Sequence, residues 1–366
     1  MNKSVLLNLL WILFLSCNNR NPLVLETHEV DFLDNTGDVI YGNKLNLEVI
    51  GIMDIVVYDS LLIFVTTDPS GFLQVYHKDT YEHLGSFCHP GRARNEFAGL
   101  AFSINKQYYL RDSDLILPLI DNNTLIQKEI NVSASIRKGQ TVVDGVESRT
   151  TDYMNSVALD NTIERVFTFS PPHLNLELQE ASLPVYSIKE NNKNVKEIKV
   201  FRGHVKCENT ELLQGCYNGE MAKHPNRNNV VITMGSMDYL FFFDFDNNKN
   251  YALHQIGTPS ASELFLNKDM SKNRSCFGLP IVDYSSDRFL VLYFGGKHTE
   301  DAIKEGKMRG ELLLFDWDGN YLGGVKMDKN FIYASYDPEK QILYTANILD
   351  EIYTYDLSQF MSFIDK

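Results

Sequence analysis

The chain has 366 residues, 44% of them hydrophobic and 22% charged, and its net charge is −14. That composition fits a folded globular protein and excludes a disordered one. The acidic balance also excludes a surface built for nucleic acid or for an anionic membrane, since either needs a basic stripe.

Residues 1–16 read as a removable signal peptide. Lys3 supplies a positive charge, and Val5 to Ser16 is apolar except for Asn8. A run of about a dozen residues is too short for a membrane span, which needs about 20. The segment Leu13-Phe14-Leu15-Ser16-Cys17 resembles a bacterial lipobox, which makes Cys17 the lipidated first residue of the mature protein. Residues 17–23 then form a tether, and 24–366 a single domain. The tether lacks the acidic run that sends related lipoproteins to the cell surface, so a periplasm-facing anchor is expected. A lipidated Cys with more than one acyl chain holds stably to a bilayer.

From there a repeat governs the chain: an apolar strand, a turn with Asp or Asn, a second apolar strand, and a third ending in an aromatic residue before a polar turn. The clearest copy predicts strands Ile332–Tyr336, Ile342–Ala346 and Glu351–Tyr355, with Pro338 pre-setting the first turn. Aligning the residue before each polar turn gives Tyr76, Ile120, Tyr186, Phe243, Phe315 and Tyr355, spaced 44, 66, 57, 72 and 40 residues apart. The two shortest spacings match the roughly 40–45 residues of a four-stranded propeller blade. Asp318-Gly319 is a strong hairpin signal. Six copies imply an all-β, six-bladed propeller, in which each sheet buries both faces against its neighbours. The last copy lacks an outer strand, which the N-terminal segment must lend from LVLETHEVDF or VIYGNKLNLEVI, thereby closing the ring. The segments 131–146, 258–275 and 296–309 are long for blade connections and read as loop insertions that can hold short helices, for example around Glu300–Met308.

With the lipobox and six copies, the chain resembles the TolB-like six-bladed propeller lipoproteins of Bacteroidetes-type bacteria. Gly91, Glu96 and Phe97 follow the family's loop after the first blade, although Ala93-Arg94 replaces its Gly-Pro pair. The stretch from Cys216 to Thr233 is similar to the family's Tyr-x-Gly strand opening. The resemblance implies a fold and an envelope location in a Gram-negative bacterium. It implies no activity.

Candidate site residues follow from residue type. Arg92, Arg94 and Glu96 crowd one loop, and arginine can clamp a carboxylate. Glu220, Lys223 and His224 stand at the start of the fourth copy and form a second candidate binding group. Asp54, Asn155, Glu220 and Asp283 fall near the first strands of their copies, where oxygens converging on a channel suit calcium. Such a site would support a metal-dependent hydrolase or lactonase, and calcium is the only cofactor the sequence suggests. Cys207 and Cys216 are spaced to staple one loop with a disulfide. There is no G-x-S-x-G elbow, H-E-x-x-H pair or phosphate-binding loop. The expected function is therefore a lipid-anchored binding module for a protein, peptide or glycan partner, with the hydrolase as the alternative and a purely structural envelope component as a third reading.

Overall fold

The computed structural model describes residues 23–34, 36–103, 108–148, 156–159, 165–170, 174–175, 180–191, 193–202, 204–206, 219–266, 274–285, 287–298 and 310–365. Cys17, Asn155, Cys207 and Cys216 lie outside these residues, so neither the lipidation nor the disulfide expectation meets the structure. Cys88 and Cys276 are buried free thiols.

Six antiparallel sheets form a ring, a six-bladed β-propeller. Blade 1 runs Ile52–Tyr58, Leu61–Thr66, Leu73–His77 and His83–Phe87. Blade 2 has an inner strand in two pieces, Ala101–Ser103 and Tyr109–Arg111, then Asp114–Asp121, Ile126–Asn131 and Val143–Ser148. Blade 3 holds Ser156–Ala158, Arg165–Ser170, Val185–Glu190 and Lys193–Ile198. Blade 4 holds Gly219–Lys223, Asn229–Met234, Tyr239–Asp244 and Lys249–Gln255. Blade 5 holds Arg274–Asp283, Arg288–His298, Glu311–Asp316 and Tyr321–Met327. Blade 6 holds Tyr333–Asp337, Ile342–Ala346 and Ile352–Asp356.

The reason for the ring is visible in the strand pattern. Strand residues alternate between faces, and here both faces are apolar. In blade 4, Val230, Ile232, Phe241 and Phe243 pack toward blade 3, while Val231, Leu240 and Phe242 pack toward blade 5. In blade 5, Phe289 and Val291 face blade 4, while Leu290 and Leu292 face blade 6. Further clusters fill the seams between blades 1 and 2 and between blades 6 and 1. No blade can hide both surfaces alone, so each is covered by a neighbour.

The N-terminal segment does more than close the ring. Strands β1 (Glu26–Val30), β2 (Thr36–Ile40) and β3 (Asn43–Leu45) run outside three successive blades. β1 pairs in parallel with the outer strand of blade 4, and β2 in parallel with that of blade 5. β3 pairs antiparallel with Ile352–Asp356 and becomes the fourth strand of blade 6. Of the two stretches expected to lend that strand, the second supplies it and the first straps blade 4. Between β1 and β2, Phe32 is fully buried against the rings of Phe277, Tyr293, Phe315 and Tyr321. Its backbone N–H donates to Gln255 Oε1 at 2.7 Å.

Two alignment positions shift. Ile120 belongs to the second strand of its blade and Tyr186 to the start of a third strand, so in blades 2 and 3 the aligned residue does not end the third strand. Segment 131–146 is an insertion between the third and outer strands of blade 2, and it carries a short helix. It holds helix α1 (Val132–Lys138) and the start of the outer strand. Asn131 Oδ1 accepts the Ala134 N–H at 2.7 Å, Arg137 and Lys138 stand in the last turn, and Gly139 ends the helix at φ 63°. Segment 258–275 likewise contains a helix, α2 (Ala261–Leu266), and the first residues of blade 5. The Asp318-Gly319 hairpin forms as expected, with Gly319 at φ 81° and Asp316 Oδ1 accepting from the Asp318 and Asn320 N–H groups.

Candidate functional site

The up-and-down strand order gives the ring two mouths. At one, which we term the hairpin mouth, each inner strand turns back into the second strand. At the other, the linker mouth, each outer strand hands over to the next blade. A cavity of about 590 Å³ opens at the hairpin mouth, and all six blades line it. Tyr58 and Asp59 come from blade 1, Tyr108, Tyr109 and Leu110 from blade 2, and Ala158 from blade 3. Lys223 to Asn226 come from blade 4, Tyr284 and Ser285 from blade 5, and Asp337 to Glu339 from blade 6.

Aromatic rings form its floor. Tyr108 meets Tyr58 edge-on at 5.5 Å between centroids and Tyr284 at 4.6 Å. Tyr108 thus joins blade 1 to blade 5 across the axis. Burial pushes its hydroxyl pKa well up, so the phenol stays protonated and able to donate. Each tyrosine offers an apolar face and a polar rim.

One wall is ionic. Lys78, 3% exposed, reaches from the turn after the third strand of blade 1 to Asp337 Oδ2 at 2.8 Å and Glu339 Oε2 at 3.3 Å. Burial alone would lower the Lys78 pKa, but the hydrogen bonds to Asp337 and Glu339 outweigh it and hold the ammonium charged. Asp337 is 2% exposed and also accepts the Glu339 N–H at 3.1 Å, the turn set by Pro338.

The residues singled out in the sequence divide between the two mouths. Lys223 and His224 line the cavity. Lys223 Nζ donates to the His224 carbonyl at 2.9 Å. His224 Nδ1 accepts the N–H groups of Asn226 and Arg227 at 2.9 and 3.0 Å, which places the ring proton on Nε2, facing Asp287. The ring also packs edge-on to Trp317. Burial lowers its pKa despite the Asp287 hydrogen bond. Both nitrogens are therefore engaged in holding the turn, and His224 shapes the wall as a neutral ring.

Glu220 sits near the other end of the same strand, toward the linker mouth. Arg92, Arg94 and Glu96 belong to the linker mouth too. The Glu96 carboxylate folds back to accept the Ala93 N–H at 2.9 Å, and a Cβ on Gly91 would stand 1.9 Å from Glu96 Oε2. Phe97 is fully buried in the seam between blades 1 and 2, with Lys128 Nζ 4.6 Å above its ring. Glu96 and Phe97 thus fasten the next blade, while Arg92 and Arg94 point to solvent.

Asp54 and Asp283 lie on inner strands and are buried. Asp54 Oδ1 accepts the Ile55 N–H, and Asp283 Oδ1 accepts the Ser285 N–H and Oγ–H. Among the described residues, no group of three or more His, Cys, Asp or Glu side chains converges to hold a metal ion.

The tyrosines escaped the sequence reading, although a signal was present. The inner strands of blades 1, 5 and 6 all end in a tyrosine beside an aspartate, as Tyr58-Asp59, Asp283-Tyr284 and Tyr336-Asp337. Reading the repeat at its inner turn, rather than its outer one, would have placed Tyr58 and Tyr284 at the mouth. Tyr108 lies in the interrupted strand of blade 2, where no repeat could be aligned.

No family model matches the chain, and no curated protein matches it. Among solved structures it is similar to a member of the DUF4221 family from Bacteroides vulgatus ATCC 8482, with 11% identity and a TM-score of 0.53, covering 92% of this chain and 98% of that one. It is also similar to a protein from Bacteroides fragilis NCTC 9343 described as exported, with 10% identity and a TM-score of 0.51, covering 90% of this chain and 97% of that one. At such identities the likeness establishes the fold alone.

Proposed function

We propose that this protein is a binding module of a bacterial envelope, anchored by a lipid on Cys17 after removal of residues 1–16, and that it takes its partner at the hairpin mouth. The observation that carries the reading is the convergence of all six blades on one cavity that combines a cluster of touching tyrosine rings with an ionic wall. A concave apolar floor with a few placed polar groups is the ordinary form of a ligand site. Tyrosine faces accept the C–H face of a sugar ring or an apolar peptide side chain, and their hydroxyls satisfy neighbouring polar groups. The partner is accordingly a glycan or a peptide segment. The exported Bacteroides structure of the same fold supports the envelope location, as does the lipobox-like segment before Cys17. His224 has both nitrogens occupied, and binding rather than turnover is the reading we favour.

Crosslinking in intact cells, followed by capture on the purified protein, tests this. Tyr284→Ala is expected to weaken capture at least about tenfold, as for a central aromatic contact. Arg92→Ala with Arg94→Ala, at the opposite mouth, should leave capture unchanged. The reverse pattern would move the site to the linker mouth.

A further inference from the structure

Of the exposed aliphatic side chains, which also include Val24, Leu33, Leu110, Val146, Val195 and Ile256, four gather on neighbouring connections. Ile50, Ile332, Ile348 and Leu349 are 68%, 48%, 56% and 73% exposed, and all four lie on linker-mouth connections around blades 6 and 1. At the hairpin mouth the exposed Leu110 and Tyr284 line the cavity, while Phe363 stands apart on the last helix, Ser358–Ile364. A single exposed isoleucine is unremarkable. These four stand on connections stitched to one another. The Ile332 N–H donates to the Ala346 carbonyl at 2.9 Å, and Asp350 accepts the N–H groups of Gly51 and Ile52 at 2.7 and 2.9 Å. The Asp350 carboxylate is thereby engaged with backbone. Arg92 and Arg94, also exposed, stand on the next connection of the same mouth.

We infer that this patch rests on the lipid bilayer, so that the linker mouth faces the membrane and the cavity faces away from it. The inference builds on the Cys17 anchor proposed above. Leu23 is buried and fixed by its bridge to Phe201, and the Val24 N–H donates to the Val200 carbonyl at 2.8 Å. Between Cys17 and Leu23 the backbone reaches at most ~20 Å, whatever its conformation. A lipid on Cys17 therefore keeps the junction of blades 3 and 4 close to the bilayer, and the ring must present some surface to it. That junction and the stitched aliphatic tips lie at opposite sides of the ring but on the same mouth, so a bilayer that meets both covers the linker mouth. Exposed isoleucine and leucine side chains enter the boundary between headgroups and acyl chains, and arginines reach phosphates. A net charge of −14 supplies no general attraction to an anionic bilayer, so the contact rests on apolar insertion helped by the tether.

The test uses tryptophan emission from the lipidated protein in vesicles of phosphatidylcholine with brominated acyl chains. The mature chain has one native tryptophan, Trp317, which is buried, because Trp11 precedes Cys17. Ile50→Trp and Leu349→Trp are expected to lose about half their added emission to the bromines, which act only at insertion depth. Leu110→Trp, at the opposite mouth, should lose none. Quenching at Leu110→Trp, or at none of the three, in a protein whose N-terminus is shown by mass to be acylated would overturn the orientation and leave the anchor standing. An unacylated N-terminus would remove the anchor. The same variants mixed with vesicles would then decide the surface by itself, since quenching keeps it and no quenching ends it. A polypeptide that co-purifies and shields Leu349→Trp from bromolipid would likewise end it.

Discussion

The seam between blades 6 and 1 and the seam between blades 4 and 5 solve the same packing problem with different fillings, although both carry a buried ion pair, Lys78 to Asp337 in the first and Arg274 to Asp238 in the second. Blades 4 and 5 are joined through the chain, and their seam is largely aromatic. Phe242, Phe289, Phe315 and Trp317 interlock there, and Phe32 of the strap plugs the outer side. Blades 6 and 1 hold the two ends of the ring. Their seam mixes Val49, Ile55, Leu62 and Ile352 with only two fully buried rings, Phe64 and Tyr344. Around it run directed contacts: Lys78 to Asp337, Asp350 to the Gly51 and Ile52 N–H groups, and the Val57 N–H to Ser335 Oγ at 3.0 Å. Apolar contact is non-directional and tolerates a sliding register. A seam that must select one partner and one register gains from charges and hydrogen bonds, which are lost on misplacement.

The largest expected effect falls on the aromatic seam. Phe32→Ala removes a fully buried ring with four ring neighbours and frees the strap between β1 and β2. It should cost about 3–5 kcal/mol, the usual price of an emptied aromatic site. Denaturant unfolding measures it directly. A loss under about 1 kcal/mol would mean that the strap is only laid along blades 4 and 5 and does not fasten them.

At the closing seam the informative target is the ion pair. Lys78→Met leaves Asp337 buried without its cation and should destabilise by about 3 kcal/mol. Combining it with Asp337→Leu replaces the pair by apolar groups and should restore much of that loss. Recovery in stability with slower or less uniform refolding would show that the pair selects the register of closure. If the double variant is no better than the single one, the pair contributes net stability and does not act through the register of closure.

These seams also show what was legible in the sequence. The blade count and the need for a borrowed strand could be read because strands with two apolar faces, such as Asn229–Met234, admit few architectures. The strand Ile342–Ala346 was placed to the residue, since Pro338 and the acidic turn fix its start. The identity of the borrowed strand could not be read. Glu26–Val30 and Asn43–Leu45 both suit an edge, and the choice depends on where Phe32 finds its pocket, a contact between residues more than 240 positions apart. The helix α1 was hidden because Asn131 reads equally as a turn residue and as a helix cap. The site was only half legible. Lys223 and His224 were found through residue type, but type alone cannot assign a residue to one mouth or the other. Arg92 and Glu220 were grouped with them for that reason. Lys78, an ordinary lysine in a turn, becomes part of a cavity wall only when blade 6 closes on blade 1.

The smallest expected effect concerns the borrowed strand itself. Lys44 on β3 meets Glu351 Oε1 at 2.6 Å, and Asn347 Nδ2 donates to Glu351 Oε2 at 2.9 Å. The Lys44 hydrogen bond first, and then that from Asn347, lowers the Glu351 pKa to about 2 from an ordinary value of 4.5. A carboxyl depressed in the folded state contributes stability that is complete above its unfolded pKa and is lost as the pH falls through its folded one. The attachment of β3 should therefore hold unchanged down to about pH 4.5 and weaken progressively toward pH 2. The pair is partly exposed, so Glu351→Gln at neutral pH should cost below about 1 kcal/mol. Hydrogen exchange of the Lys44 and Leu45 amides across that pH range, corrected for intrinsic rates, reads the weakening locally. In Glu351→Gln the pH dependence of these two amides should flatten, while that of amides in β1 stays as it was. If both strands lose protection together, the strap peels as one piece, and the closing seam has no separate acid sensitivity.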